Sequence, residues 1–283
     1  MAPASLLQTS TLSVTTEDRV GVITFTRTKK FNSFTPELYQ DIPKALGVCA
    51  QANEVSVVVM TALGPYYSTG QDLMAGQSLF APEDGVEMSE HLTKLIDSQA
   101  KQMIATLIDF PKPLIAAVQG PALGFGCTHL TTVDIVYASS KASFATPFMQ
   151  LGFCAEGLSS LRFEQMLGTS KANEMLLLGR PLSAQEAEKC GFVAAVFEPA
   201  DLMDEVMKRA RQMASYPPEA LQQTKKLCRD RHRQTYHDVN NDELALLVHR
   251  FMSDECQEAV MNFMMAKMEA KKKQKGPAAK SRL

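Results

Sequence analysis

Four short runs rich in apolar and β-branched residues lie in the first half of the chain, at residues 20–26, 55–61, 113–119 and 133–137. The run at 55–61 is apolar almost without interruption, the pattern of a strand covered on both faces. Helical patterns separate the runs. Residues 36–52 follow a potential cap at Thr35, and residues 88–109 repeat Leu92, Leu95, Ile96, Ala100, Met103 and Ile104 at helical spacing. Strand and helix in alternation restrict the fold to an α/β sheet layered against helices. Beyond about residue 157 the pattern turns helical, with candidates at 169–178, 183–189, 200–215, 217–233 and 239–270 and a short extended stretch at 193–197. Asp201 is placed to cap the third of these. No linker rich in proline or serine interrupts the chain, so the expectation is one α/β core with a C-terminal helical extension.

Charge narrows the function. The 29 basic and 31 acidic residues nearly balance, which argues against a protein that coats nucleic acid. The balance is uneven along the chain. Residues 267–282 hold seven basic side chains and one acidic, leaving the remainder at −8. Residues 266–283 are therefore expected to be a flexible basic tail behind a single domain at 1–265, with a core at about 14–200 and a helical region at about 201–265. The first 18 residues carry no basic side chain, unlike a mitochondrial presequence or secretory leader. No apolar run approaches 18 residues, so no membrane span is expected. The last three residues, Ser281, Arg282 and Leu283, are a conservative variant of the Ser-Lys-Leu address. They imply import into the peroxisome, or a related organelle such as the glycosome, with the import receptor as a partner.

Metal and nucleophile chemistries find little support. The six cysteines are widely spaced with no CxxC, and read as buried reduced thiols. The five histidines form no HExxH, and no GxSxG elbow occurs. Met261, Met264, Met265 and Met268 recur at helical spacing, which points to core or subunit contact.

Two glycine-bearing segments each follow a buried run: Tyr66 to Leu73 after residues 55–61, and Gly120 to His129 after residues 113–119. Glycine permits tight turns, and turns entering helices leave N–H groups unpaired. Two such groups converging on one point make an oxyanion hole. A dinucleotide fingerprint fails on spacing, because His129 stands where Gly124-Phe125-Gly126 would need a third glycine.

In these segments, and from about Val14 to Met265 overall, the chain resembles the crotonase (enoyl-CoA hydratase/isomerase) superfamily. Arg27-Thr-Lys-Lys-Phe-Asn32 is similar to the family's Arg-Pro-x-x-x-Asn turn. Tyr67-Ser-Thr-Gly-Gln-Asp-Leu73 is similar to its Phe-Ser-x-Gly-x-Asp-Leu segment. Lys112-Pro-x-Ile-Ala-Ala-Val-x-Gly120, Ala122-Leu-Gly124 and Asp134 complete the order. The resemblance implies the ClpP-like crotonase fold, with repeated ββα units in a spiral core and a C-terminal helical oligomerisation region. It implies an acyl-CoA substrate, no resident cofactor (CoA being part of the substrate), and assembly as a homotrimer or a dimer of trimers. The implied oxyanion donors are the backbone N–H groups of Gln71 and Phe125, with Ser68, Thr69, Gly70, Gln71, Asp72 and Leu73 lining the substrate groove.

The base distinguishes members of this superfamily. The positions where hydratases hold two glutamates correspond to Thr128 and Phe148, neither of which accepts a proton. The carboxylate lies instead at Glu156, an arrangement resembling the Δ3,Δ2-enoyl-CoA isomerases, although Ala155 stands where those enzymes often have proline. The implied reaction moves the double bond of a 3-enoyl-CoA to trans-2-enoyl-CoA, as in β-oxidation of unsaturated fatty acids. The alternatives are dienoyl-CoA isomerisation, which needs a further carboxylate, and a non-catalytic acyl-CoA-binding homologue. Two influences on Glu156 oppose each other: apolar neighbours would raise its pKa, and a helix starting near Gly157 would lower it. The sequence leaves their sum open. Lys225, Lys226, Arg229, Arg231 and Arg233 form a basic helix face, either solvated or turned to the CoA phosphates.

Overall fold

The computed structural model describes residues 3–72 and 85–275. Strands β1 (Ala4–Gln8), β2 (Leu12–Glu17) and β3 (Val20–Phe25) form an antiparallel meander. Helix α1 (Pro36–Gln51) then crosses to β4 (Val57–Ala62), which runs parallel to β3. Helix α2 (Met88–Ile96), a π-helical turn (Asp97–Lys101) and α3 (Gln102–Asp109) lead to β5 (Leu114–Val118), parallel to β4. A small sheet of β6 (Ala122–Leu123), β8 (Ser143–Ala145) and β9 (Leu182–Ser183) stands apart, with the short helix α4 (Phe125–Thr128) after β6. Strands β7 (Ile135–Ser139) and β10 (Ala195–Phe197) complete the main sheet in the order β1-β2-β3-β4-β5-β7-β10. Helices α5 (Ser159–Leu167), α6 (Thr169–Leu176), α7 (Ala184–Lys189), α8 (Leu202–Ala214), α9 (Pro218–Phe251) and α10 (Asp254–Lys275) make up the rest.

Every residue of β4 and β5 is buried because both sheet faces are covered. Alternation within the apolar run decides which partner each residue meets. Val58, Met60, Leu114 and Ala116 join the core with Leu38, Ile42 and Leu46 of α1 and Met103 and Leu107 of α3. Val57, Val59, Ile115 and Ala117 face the opposite way, onto Leu202, Val206, Ala210 and Ala214 of α8. The spacing of four in α8 puts all four contacts on one stripe. Each such valine or leucine contributes about 1.5–3 kcal/mol by leaving water.

Charged side chains brace the layers. Lys112 sits just before β5 and donates to the Cys49 and Ala52 carbonyls at 2.7 and 2.8 Å, closing the C-terminal end of α1. Asp134 accepts from the Leu114 N–H at 2.8 Å, from Lys225 at 2.7 Å and from Arg229 at 2.7 Å, which pins α9 to the start of β5. The basic face of α9 is thereby largely occupied. Arg233 pairs with Asp109 and Asp230, and Lys226 also pairs with Asp230.

Some boundaries differ from those the sequence suggests. A helix break is expected between residues 233 and 239, yet α9 runs unbroken for 34 residues. Residues 234–238 contain no glycine or proline, and Tyr236 is buried against the core. The break falls at Met252-Ser253, where the Ser253 hydroxyl bonds the Arg250 carbonyl and accepts from the Cys256 N–H. Helix α10 continues to Lys275, past residue 265 where the tail is expected to begin; residues 276–283 lie outside the described residues. Asp201 occupies the N-cap of α8 but makes no capping bond, since its own backbone is helical rather than extended. The six cysteines are free thiols, but only Cys49, Cys127 and Cys256 are buried as expected; Cys154 and Cys190 are half-buried, and Cys228 is exposed on the polar helix α9. Among the described residues, no helix is long and apolar enough to cross a membrane, and no cluster of His, Cys, Asp or Glu is arranged to hold a metal.

Candidate active site

The first glycine segment is shaped by the turn at Arg27 to Asn32. Asn32, buried and left-handed at φ 52°, donates from Nδ2 to the carbonyls of Leu63 and Tyr66, both at 2.9 Å. Its own carbonyl accepts from the Ser68 hydroxyl at 2.8 Å, and that hydroxyl accepts from the Gly70 N–H at 3.1 Å. Ser68 is fully buried, so its side chain braces the turn. Asp72 accepts from the Ser33 hydroxyl at 3.0 Å, with Arg27 at 3.9 Å. Phe34 donates to the Gly70 carbonyl and accepts from the Asp72 N–H, bonds that flank Gln71 on that edge. The Thr69 N–H donates to the Phe31 carbonyl. Leu73 lies outside the described residues.

The second segment meets the first at van der Waals distance. Ser68 pairs with Ala122, and the Leu123 N–H donates to the Ser68 carbonyl at 2.9 Å. Gly124 caps α4 at φ 52° and ψ −128°, a conformation that requires glycine. A Cβ placed on Gly70 would lie 2.6 Å from the Leu123 carbonyl oxygen and 3.3 Å from the Phe125 nitrogen. Among the described residues, neither the Gln71 nor the Phe125 N–H donates to a protein acceptor. The two turns are thus packed against each other with both donors uncommitted.

An aromatic group fixes this junction from behind. Tyr39 of α1 donates to the Gln71 side-chain Oε1 at 2.6 Å, and its ring lies 5.1 Å from that of Phe125. Tyr67 and His129 stack at 5.7 Å, with the Tyr67 hydroxyl 3.1 Å from Nε2 and His129 Nδ1 2.8 Å from the Phe125 carbonyl. Burial pushes the His129 imidazole down to about 4, so it is neutral. The Phe125 carbonyl only accepts, hence Nδ1 carries the proton and Nε2 accepts from Tyr67. Nothing in the sequence marks Tyr39 or His129 for this work, because Tyr39 meets Gln71 and His129 meets Tyr67 only through folding, across 32 and 62 positions.

Glu156 arrives from a third element. Gly157 packs on α4 so closely that a Cβ there would lie 2.6 Å from the Thr128 hydroxyl, and the Gly157 carbonyl accepts from Thr131 at 2.8 Å. Gly157 and Leu158 are both left-handed, at φ 63° and 64°. Helix α5 therefore starts at Ser159 rather than at Gly157. Its first N–H groups bond a residue the sequence did not single out. Glu243 of α9 accepts from the Leu158 N–H at 2.7 Å and from the Ser160 N–H at 2.8 Å. A left-handed leucine costs roughly 1–2 kcal/mol, and a hydrogen bond to a charged acceptor contributes about 1.5–3 kcal/mol. The cap is sufficient to hold the turn.

This arrangement settles the opposing influences on Glu156. The N-terminal end of α5 faces Glu243, and no hydrogen bond or ion pair engages the Glu156 carboxyl among the described residues. Burial, reinforced by the Glu243 charge, pushes Glu156 up to about 8. Tyr39 lies close enough for the Glu156 charge to add to the burial that raises its own hydroxyl. Tyr39 thus touches the Gln71 side chain and the Phe125 ring and also feels Glu156. Thr128 and Phe148 are buried and offer no acid.

Comparison with known proteins agrees with this architecture. Residues 15–274 match the enoyl-CoA hydratase/isomerase family. The human protein named enoyl-CoA delta isomerase 2 is 40% identical over 257 residues, covering 91% of this chain and 64% of the human protein. The chain thus spans somewhat less than two thirds of that relative. The mouse protein named enoyl-CoA delta isomerase 3, peroxisomal, is 37% identical over 91% of this chain and 79% of its own length. The crystal structure of an enoyl-CoA hydratase/isomerase from Pseudoalteromonas atlantica superposes with a TM-score of 0.81 at 30% identity, covering 91% of this chain and 98% of that one. Fold, turn geometry and similarity over about nine tenths of this chain together place it in the enoyl-CoA hydratase/isomerase family, within the crotonase superfamily.

Proposed function

We propose that the protein is a Δ3,Δ2-enoyl-CoA isomerase with Glu156 as its single proton carrier. The observation that carries this reading is one uncommitted carboxyl with a raised pKa on a turn packed against α4, where the hydratase-type glutamate positions are Thr128 and Phe148. The thioester oxygen of a 3-enoyl-CoA accepts from the Gln71 and Phe125 N–H groups. Glu156 removes a C2 proton, and the electron pair enters a dienolate whose oxygen charge the two donors stabilise. The same carboxylic acid returns the proton at C4, giving the conjugated trans-2-enoyl-CoA. No water is added, so a second acid is not needed. The human and mouse relatives named as enoyl-CoA delta isomerases support the assignment.

The test is the rise in ultraviolet absorbance as a 3-enoyl-CoA becomes conjugated, followed with wild-type protein from about pH 6 to about pH 9. The first step needs the carboxylate, and burial holds Glu156 up at about 8. Therefore kcat/KM is expected to rise close to tenfold per pH unit below about 8 and to level off above it. No absorbance change at any pH in that range would overturn the isomerase assignment.

The name of the mouse relative also supports a peroxisomal location. An N-terminal fluorescent fusion of the full chain is expected in peroxisomes, and removal of Ser281, Arg282 and Leu283, which lie outside the described residues, is expected to leave it in the cytosol. Unchanged peroxisomal fluorescence after the deletion would refute this role for the tripeptide.

A further inference from the structure

The Glu156 turn is gripped from both sides by one residue of α9. Ahead of it, the Cys154 thiol points to the Glu243 carbonyl at 3.7 Å. Behind it, the Glu243 carboxylate accepts from the Leu158 N–H at 2.7 Å and the Ser160 N–H at 2.8 Å. Glu243 is 6% exposed, and no cation pairs with it among the described residues. A carboxylate this deeply buried without a cation calls for a reason beyond solubility. Helix N-termini are commonly capped by a serine, threonine, asparagine or aspartate that directly precedes the helix in the chain. Here the cap is an anion placed behind another carboxyl.

The groups facing Glu156 are few. Tyr39 approaches from α1, Glu243 from α9, and Cys154 stands on the same loop. Arg250, one α9 position from which a positive charge could reach the loop, is bonded to Glu255 and to the Gly152 carbonyl. Glu243 is therefore the nearby carboxyl whose charge opposes ionisation of Glu156; burial pushes its own carboxyl up, against the smaller pull of the Ser160 and Leu158 N–H groups toward the charged form. Because the two carboxyls interact, they lose protons as a coupled pair.

We propose that Glu243 is a positioning residue for the isomerase site: its bonds to Leu158 and Ser160 fix the left-handed turn that presents Glu156 and set a negative charge behind that turn. The inference rests on the isomerase reading only in assigning the base to Glu156. A more basic carboxylate takes the weakly acidic C2 proton more readily, and its conjugate acid is still able to return it.

The experiment compares wild type with Glu243→Gln, which keeps one acceptor oxygen and removes the charge. The rising limb of the kcat/KM profile is expected to move to lower pH by about one unit, with a lowered plateau. Titration of the Glu156 carboxyl carbon by NMR is expected to show the same downward shift, whether or not the protein isomerises 3-enoyl-CoA. A plateau that falls while the limb and the NMR midpoint stay fixed would reduce Glu243 to a structural cap and overturn the proposal. If wild type is inactive but the NMR midpoint still falls in the variant, the isomerase reading fails and the coupling stands. Should Glu243→Gln not fold, Glu243→Asp makes the converse test: with the charge kept, the limb is expected to remain at its wild-type pH, and a limb displaced downward would overturn the proposal.

Discussion

Glu156→Gln is expected to lower kcat for 3-enoyl-CoA isomerisation by about 10²–10⁴-fold, with little change in KM. The magnitude is that of removing a general acid–base from a reaction that otherwise keeps its electrostatic stabilisation. The amide cannot carry the proton from C2 to C4, whereas the Gln71 and Phe125 donors are backbone groups untouched by the change. The fold is expected to survive, because the local bonds made by Glu156 use its main chain: its carbonyl accepts from the Ser159 N–H at 3.2 Å and the Ser159 hydroxyl at 2.7 Å. Stability supplies a second readout. A carboxyl held up at about 8 in the folded protein binds its proton more tightly there than in the unfolded chain, where its ordinary value is 4.5. Its contribution is therefore fully present below pH 4.5 and is lost as pH rises to about 8, by up to roughly 1.4 kcal/mol per pH unit. Chemical denaturation across that window is expected to show a shallower decline for the glutamine variant. Full isomerase activity in Glu156→Gln would remove the residue from the mechanism.

The second large effect is expected at Gly70→Ala. The new Cβ would lie 2.6 Å from the Leu123 carbonyl oxygen, and the residue sits at φ 75°, where a side chain is strained even with space around it. Both obstacles are backbone, so relief requires the two turns to separate. That moves the Phe125 N–H away from the Gln71 N–H. Loss of one oxyanion donor costs about 10²–10³-fold in kcat where it has been studied, and a similar fall is expected here. Gly47→Ala serves as the control. A Cβ at Gly47 on α1 meets nothing within 4 Å, so activity is expected to be unchanged and the helix stabilised by about 0.5–1 kcal/mol. Equal kinetics for Gly70→Ala and wild type would show that the junction does not align the donors.

Much of this arrangement can be read from the residues. The apolar runs locate β3, β4, β5 and β7 because a strand covered on both faces has a strong signature. The glycine segments mark the two turns, since Gly70 and Gly124 stand where no other residue fits the backbone. Less legible are elements whose identity depends on distant partners. Strand β1 is largely exposed, and β6 and β9 are two residues each, too short for any period to show. Helix α9 is polar around much of its circumference, so periodicity does not reveal that its halves are continuous. Glu243 reads as an ordinary surface glutamate until folding brings it to Leu158, 85 positions earlier in the chain. For the same reason the pKa direction at Glu156 stays open in the sequence: the helix terminus that would lower it is real, but another carboxylate occupies it.

The packing of Gly157 against Thr128 has an evolutionary corollary. The donors for the thioester oxygen belong to the main chain, so they persist under any substitution that preserves the turn. The proton carrier is a side chain on a separately anchored loop, and Thr128, where hydratases are expected to hold one of their acids, lies in contact with that loop. A lineage with this scaffold can therefore relocate its acid by one or two substitutions while inheriting the costly part, a polarising backbone, unchanged. Diversification of chemistry on such a frame is a matter of where a single carboxyl is seated.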